Sequence, residues 1–286
     1  MFLRGELVSN KIRAEADCLL SLLDGYVPTL AIVRVGAQPP QIAYERGATK
    51  KMAAFGLKTK VFAFDSSISE EAFLKALRGV SDDPEIDGIL LLEPLPDQIN
   101  PDRATAVIDP EKDLDGITPT NVAKVFMGDP LGFAPCTAEA VMETIHAYGF
   151  TPNQKKAVVV GRSMVVGRPV AMLLLSENAT VSICHTKTAD LPEECRRAEI
   201  LVSCAGRPHL IKAGDVAPNA LVIDVGLNVV DGKLCGDVDS EAVEKKARAV
   251  TPVPGGIGSV TTAVLAKHLL LAAVRKHEKM RLAGNS

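Results

Sequence analysis

The chain of 286 residues contains no tryptophan, and aromatic residues make up only 4% of it. That scarcity argues against a nucleic-acid platform, which stacks bases on aromatic faces. Charge of one sign is also lacking. The formal net charge is -3, so neither a polyanion nor an anionic membrane is an expected partner. The N-terminus, MFLRGELVSNKIRAEAD, lacks the apolar core of a signal peptide. No apolar run is expected to reach the length of a bilayer span. The six cysteines, Cys18, Cys136, Cys184, Cys195, Cys204 and Cys235, form no C-x-x-C pair and are expected to be reduced and mostly buried. No His/Cys/Asp cluster has metal-ligand spacing, so no metal is expected. Repeats and low-complexity tracts are absent as well. The expectation is a soluble, cytoplasmic protein.

What is present is the material of an ordinary globular core, with 47% hydrophobic and 23% charged residues. The length suits one large domain or two modest ones. Strand and helix patterns alternate along the chain. Thr29–Val35 (TLAIVRV) is rich in β-branched residues and reads as a strand. Gln41–Phe55 reads as a helix ended by Gly56, and Lys60–Phe64 as a second strand. Ser69 caps a helix running to about Arg78, with Glu70 and Glu71 in its first turn. Asp87–Leu92 is apolar throughout most of its length, as a strand covered on both faces should be. A second series follows residue 150, with strands at Ala157–Val160, Thr180–Cys184, Ile200–Cys204 and Leu221–Val225 and a helix from Pro169. Met127–Pro135, rich in glycine and proline, marks a crossing between the two series. The segment from Ser259 to about Lys279 is helical in pattern. The expected class is α/β, with parallel sheets and crossover helices, the second series forming a doubly wound sheet.

The clearest local signal is AVVVGRSMVVGRP at 157–169. A buried strand ends at Gly161, and Gly167 and Pro169 open a helix. Glycine permits close backbone approach, and a helix N-terminus offers free N–H groups and a positive dipole to phosphate. The spacing is not G-x-G-x-x-G, so a plain structural turn is the competing reading. Arg162 and Ser163 at its mouth can hold a 2′-phosphate, which favours NADP over NAD. The alternative is a solvated arginine.

VVVGRSMVVGRPVAMLL resembles a signature of the bifunctional methylenetetrahydrofolate dehydrogenase/cyclohydrolases. PEKDLDGITPTN (110–121), ATVSICHTKT (179–188), VIDVGLN (222–228), GDVD (236–239) and TPVPGGIGSVTTAVL (251–265) resemble further family motifs in the same order. The resemblance implies a catalytic, folate-binding domain at 1–136 completed by the C-terminal helix at 259–286. It implies a Rossmann-type cofactor domain at 137–258, with the folate in the cleft and pairing into a homodimer through the cofactor domain. The implied reaction is oxidation of 5,10-methylenetetrahydrofolate with NADP, NAD being the alternative, then hydrolysis of the methenyl product. Tyr44 and Asp115 are the implied catalytic residues. Tyr44, Asp115, Leu92, Glu93, Gly256 and Ser259 are implied to bind substrate. Gly161, Arg162, Ser163, Val166, Gly167, His185, Thr186, Cys204, Ala205, Gly206, Gly226, Leu227 and Thr261 are implied to bind the cofactor. Asp115 is implied to read the pterin; without the resemblance it is a turn aspartate before Gly116.

Several positions depart from the family pattern. The family carries a catalytic Lys four residues after the Tyr; here that residue is Ala48. The supporting Gln is Leu92, followed by Glu93, and a Ser three residues before the Tyr is Gln41. Lys51 lies on the Tyr44 face but roughly 10 Å further along a helix. P-C-T-P reads PCTA with Ala138, and G-P-M-T reads GSVT with Ser259 and Val260. Hydride transfer asks mainly for alignment, whereas hydrolysis asks for proton movement. The expectation is a dehydrogenase with weak or absent cyclohydrolase. An oxidoreductase on another pterin-like or cationic substrate, with Glu93 recruited, and a silent binding paralogue stand as alternatives. A Lys at 48 together with a Gln at 92 is expected to rebuild part of the hydrolysis.

Overall fold

The computed structural model describes residues 1–284. The chain divides into two compact units. One holds Met1–Lys11, Val125–Asp129 and Pro135–Val264; the other holds Ile12–Lys124, Pro130–Ala134 and the chain from Leu265 onward. The Met127–Pro135 stretch thus falls where the chain passes between units.

The first helix, α1 (Gly5–Ser21), buries Val8, Ile12 and Ala16 at a spacing of four. It was not among the sequence expectations. In the unit that starts at Ile12, β1 (Thr29–Val35), α2 (Pro39–Ala54), β2 (Lys58–Phe64), α3 (Glu70–Asp82) and β3 (Gly88–Leu91) follow. The three strands form a parallel sheet in the order β2-β1-β3, with Ile32 opposite Val61 and Leu90. Helix α2 begins two residues earlier than expected because Pro39 and Pro40 suit a first turn, where no N–H is needed. Ser69 caps α3 as expected, its Oγ accepting from the Ala72 N–H at 3.3 Å, a contribution of about 1 kcal/mol. Phe73 and Leu77 of α3 pack on Val33, Val35 and Ile89. Fully burying each side chain of this kind contributes roughly 1.5–3 kcal/mol. Two short helices, α4 (Pro101–Thr105) and α5 (Pro119–Met127), follow.

The other unit continues with α6 (Cys136–Ala147), β4 (Lys156–Val160), α7 (Gly167–Ser176), β5 (Thr180–Cys184), α8 (Leu191–Arg196), β6 (Ile200–Ser203) and β7 (Leu221–Asp224). A hairpin of β8 (Asn228–Val230) and β9 (Lys233–Cys235), then α9 (Ser240–Glu244) and β10 (Ala249–Val250), complete it. All five main strands are parallel in the order β10-β7-β6-β4-β5. The chain order reverses at β4, which makes the β4/β6 boundary the switch point of a doubly wound sheet. The α/β expectation therefore holds.

The last helix, α10 (Thr261–Gly284), corrects one expectation. Ile257–Ala283 is long and apolar enough to cross a membrane by length and composition, but 67% of its most apolar window is buried in the fold. Its apolarity is that of a core helix, with Leu265, Leu269, Leu270 and Ala273 fully covered. The cysteines are all free. Cys136, Cys184 and Cys195 are buried, Cys204 and Cys235 half-buried, and Cys18 exposed.

Candidate functional site

In the unit built on β1–β3, the side chains singled out from the sequence gather at the carboxyl ends of the parallel strands, where ligands bind in open α/β sheets. Leu92 continues from β3, its N–H donating to the Val33 carbonyl at 2.8 Å. On α2, Gln41, Tyr44 and Ala48 share one face. Tyr44 is 36% exposed, whereas Gln41 is 3% exposed and Ala48 fully buried. The Gln41 Nε2 donates to the carbonyls of Pro94 (2.9 Å) and Leu92 (3.5 Å), tying α2 to the segment that carries exposed Glu93. Its Oε1 is the one buried side-chain polar atom without a partner among the described residues. Arg34 at the end of β1 pairs with Glu45 of α2 at 2.6 Å.

Burial of Ala48 bears on the expected lysine rescue. An ammonium placed there enters the packed side of α2 and not open solvent. Leu92 is likewise buried, at 5% exposure. These two positions therefore present apolar surface, with no proton donor or acceptor.

Asp115 sits half-buried in a tightly framed turn. Buried Asp113 accepts from the N–H groups of Ile117 (3.1 Å) and Thr118 (2.8 Å) and from Asn121 Nδ2 (2.9 Å). His268 of α10 hydrogen-bonds the Leu114 carbonyl through Nδ1 at 2.8 Å. Burial pulls this imidazole down to about 4, so it is neutral at physiological pH and donates from Nδ1. The turn that presents Asp115 is thus fixed from both flanks.

In the other unit, the turn after β4 is closely wound. Gly161 has φ +133°, and a Cβ there would sit 2.5 Å from the Cys204 carbonyl oxygen. A Cβ on Gly167 would sit 2.3 Å from the Gly161 carbonyl oxygen. Only glycine satisfies both. Ser163 Oγ accepts from the N–H groups of Val166 (3.2 Å) and Gly167 (3.4 Å), capping α7, which starts at Gly167 and not at Pro169. Arg162 is exposed, and its guanidinium has no protein partner among the described residues. His185 and Thr186 follow β5, Cys204–Gly206 follow β6, and Gly226 and Leu227 follow β7. Gly256, Ser259 and Thr261 follow β10; Ser259 Oγ donates to the Gly256 carbonyl at 2.7 Å and Thr261 Oγ1 to that of Ile257 at 3.3 Å. Parallel pairing puts the loops that directly follow β4, β5, β6 and β7 at the carboxyl ends of the five-stranded sheet. His185 Nδ1 accepts from the Lys187 N–H at 3.1 Å, so the ring closes its own turn. Two residues to which sequence reasoning gave no role stand behind these loops: buried Asp224 and Asp237. The GDVD motif contained the second, but most of its partners, on 203–207, are 30 to 34 residues away and left no local signal.

The catalytic-domain model of the tetrahydrofolate dehydrogenase/cyclohydrolases matches residues 3–115, and their NAD(P)-binding-domain model matches residues 135–277. The chain belongs to this tetrahydrofolate dehydrogenase/cyclohydrolase family. It is 46% identical over 278 residues to the bifunctional protein FolD of Alkaliphilus oremlandii, covering 96% of this chain and 98% of that one. Its fold superposes on the bifunctional FolD of Campylobacter jejuni with a TM-score of 0.94, at 36% identity and covering 96% and 99% of the two chains. It matches the Trypanosoma brucei dehydrogenase/cyclohydrolase, solved with NADP and an inhibitor, with a TM-score of 0.88 at 31% identity, covering 97% and 98%. As a family member, the chain carries its NAD(P)-binding domain on the five-stranded sheet. The glycine cradle at 161 and 167, which a Cβ would fill, fits a dinucleotide phosphate.

Proposed function

We propose that this chain oxidises 5,10-methylenetetrahydrofolate to the methenyl form with NADP, and that its cyclohydrolase step is weak or silent. The observation that carries the first half is the Gly161–Gly167 cradle at the switch point of a family cofactor domain. The bound cofactor supplies the hydride acceptor. Arg162 and Ser163 hold its 2′-phosphate, the unpaired guanidinium giving a charge-assisted contact. Val166, His185, Thr186, Cys204, Ala205, Gly206, Gly226, Leu227 and Thr261 line the rest of the cofactor's path. Asp115 accepts two hydrogen bonds from the pterin amide N–H and amino group, which rejects compounds lacking them. Tyr44 packs on the folate beside Leu92 and Glu93, and Gly256 and Ser259 are the substrate-binding residues we assign to the other unit.

The substrate's own nitrogen lone pair expels the hydride, so the chain need only hold two carbons in line. Hydrolysis needs more. Water must be activated and protons moved, yet Ala48 and Leu92 offer nothing that titrates. Gln41, on the Ala48 face of α2 and bonded to the Leu92 carbonyl, spends its amide N–H groups on two backbone carbonyls.

The functional division we favour is a folate domain at 1–136 with 259–286 and a cofactor domain at 137–258. A homodimer through the cofactor domain is supported by exposed apolar side chains there, namely Val229 and Leu234 at the hairpin and Ile183 on edge strand β5. A cytoplasmic location is supported by six free thiols. Initial rates of methenyl formation with NADP and with NAD test the activity, and sedimentation at micromolar concentration tests the dimer. Turnover with NADP preferred and a species of twice 30.3 kDa are expected. Folate or nucleotide binding without turnover would instead mark a silent paralogue.

A further inference from the structure

A buried carboxylate pair stands behind the cofactor loops. Asp237 is fully buried and accepts five hydrogen bonds. Its Oδ2 takes the N–H of Ala205 (2.6 Å) and Gly206 (3.1 Å) and the Ser203 hydroxyl (3.2 Å). Its Oδ1 takes the N–H of Arg207 (2.8 Å) and Asn228 Nδ2 (3.0 Å). Asp224 in turn accepts from the N–H groups of Gly226 (3.0 Å), Asp237 (3.0 Å) and Val238 (2.9 Å). The packing has no slack: a Cβ on Gly226 would lie 2.2 Å from the Asp237 carboxyl carbon, and one on Gly236 1.8 Å from Asp224 Oδ2. From the 204–207 loop the contact passes to the phosphate turn, because the Cys204 carbonyl fills the space a Gly161 side chain would need.

We propose that Asp237 is a positioning residue for the cofactor, shaping the loops at 204–207 and 226–228 and making them select its nicotinamide end in the oxidised, cationic form. This rests on the functional reading above. Three successive amides, at 205, 206 and 207, are spent on Asp237, so this loop cannot grip phosphate with them. The carboxylate behind it repels anions as well. The phosphate-bearing end belongs at the 161–167 turn, where Arg162 is unpaired and Gly161 and Gly167 allow close approach. That leaves the loops after β6 and β7 to the other end, whose ring carries positive charge only when oxidised. Burial, and secondarily the Asp237 charge, push Asp224 up to about 7. The Cys204 thiol, pushed up to about 12 by burial and then by Asp237, feels the same charge from within the loop.

The test is equilibrium titration of the full chain with NADP⁺ and with NADPH, parent against Asp237→Asn, at a temperature where both are folded. Folate binding serves as the control. The expected result is about a tenfold or greater loss of NADP⁺ affinity, a smaller loss for NADPH, and unchanged folate affinity. If Asp237→Asn does not fold, Asn228→Ala carries the same test, since it frees the 226–228 loop alone. It should weaken NADP⁺ about threefold, while Ser203→Ala, which touches Asp237 from a strand, should not. Equal losses for the two redox forms, or a lower melting temperature with unchanged affinities, would assign Asp237 a purely structural role and overturn the inference. Those results leave the parent's NADP binding intact, whereas a parent that binds neither NADP nor NAD overturns the functional reading and the inference together.

Discussion

Gly167→Ala isolates the phosphate cradle in a single methyl group. The added Cβ would meet the Gly161 carbonyl oxygen at 2.3 Å, its carbon at 2.6 Å and the Arg162 nitrogen at 2.8 Å. Ordinary contact begins at 3.4 Å, so the turn must open by about 1 Å. All three atoms are backbone, and no flexible side chain can give way. Gly161 cannot retreat either, because it already abuts the Cys204 carbonyl. Overpacking of this kind costs about 1–3 kcal/mol. The better helix propensity of alanine returns at most about 1 kcal/mol, and least of all at the first helical position. The clash therefore wins. The expected outcome is a lower melting temperature together with about a tenfold loss of NADP affinity, since 1.4 kcal/mol, within that range, is one decade. Folate affinity should not change. Gly79→Ala is the matched control: it lies inside α3 with nothing within 4 Å of the added carbon, and should stabilise by about 0.5–1 kcal/mol. Calorimetric titration and thermal melts read both quantities. A Gly167→Ala protein with the parent's melting temperature and NADP affinity would refute the cradle.

Arg162→Ala should weaken NADP by about 1.5–3 kcal/mol and NAD far less, read by titration with each; equal losses would remove the 2′-phosphate assignment. Asp115→Ala should raise the folate dissociation constant strongly and leave nucleotide binding unchanged, and calorimetry with both ligands checks it. The pH dependence of stability has two opposed contributions. Asp224, raised from 3.8 to about 7 by burial, loses its contribution as pH rises through that range. His268, lowered from 6.5 to about 4 by burial, loses its contribution as pH falls from 6.5 towards 4. Asp224→Asn should therefore leave a melting temperature that climbs with pH between about 4 and 6.5, and a slope identical to the parent's would contradict the assignment. Ala48→Lys alone should lower the melting temperature without accelerating methenyl decay, because the side chain enters a fully buried position. Adding Leu92→Gln should recover part of both in a non-additive way, read by melts and methenyl absorbance.

The strand framework was legible because apolar β-branched runs carry their own signal. Thr29–Val35 and Thr180–Cys184 match observed strands residue for residue. Element ends were less legible, as at Pro39, where two prolines extend a helix that pattern alone begins later. Helix α1 carries a stripe at Val8, Ile12 and Ala16, but charged residues on its other positions dilute the pattern. The hairpin of β8 and β9 is too short for periodicity to show. At the site, the glycines at 161 and 167 announced a close approach, and the structure supplies what approaches. The burial of Ala48, the unpartnered oxygen of Gln41 and the five donors on Asp237 were not legible. Each depends on groups brought in from distant sequence, and no local pattern encodes them.

The most direct test of a dehydrogenase without its hydrolytic partner is one absorbance record. The parent chain is mixed with methylenetetrahydrofolate and NADP, methenyl formation is followed to completion, and the decay is then followed in the same cuvette. The account predicts NADP-dependent formation followed by decay at the rate measured without protein. Absence of formation, or methenyl loss that accelerates in proportion to the protein added, would contradict it.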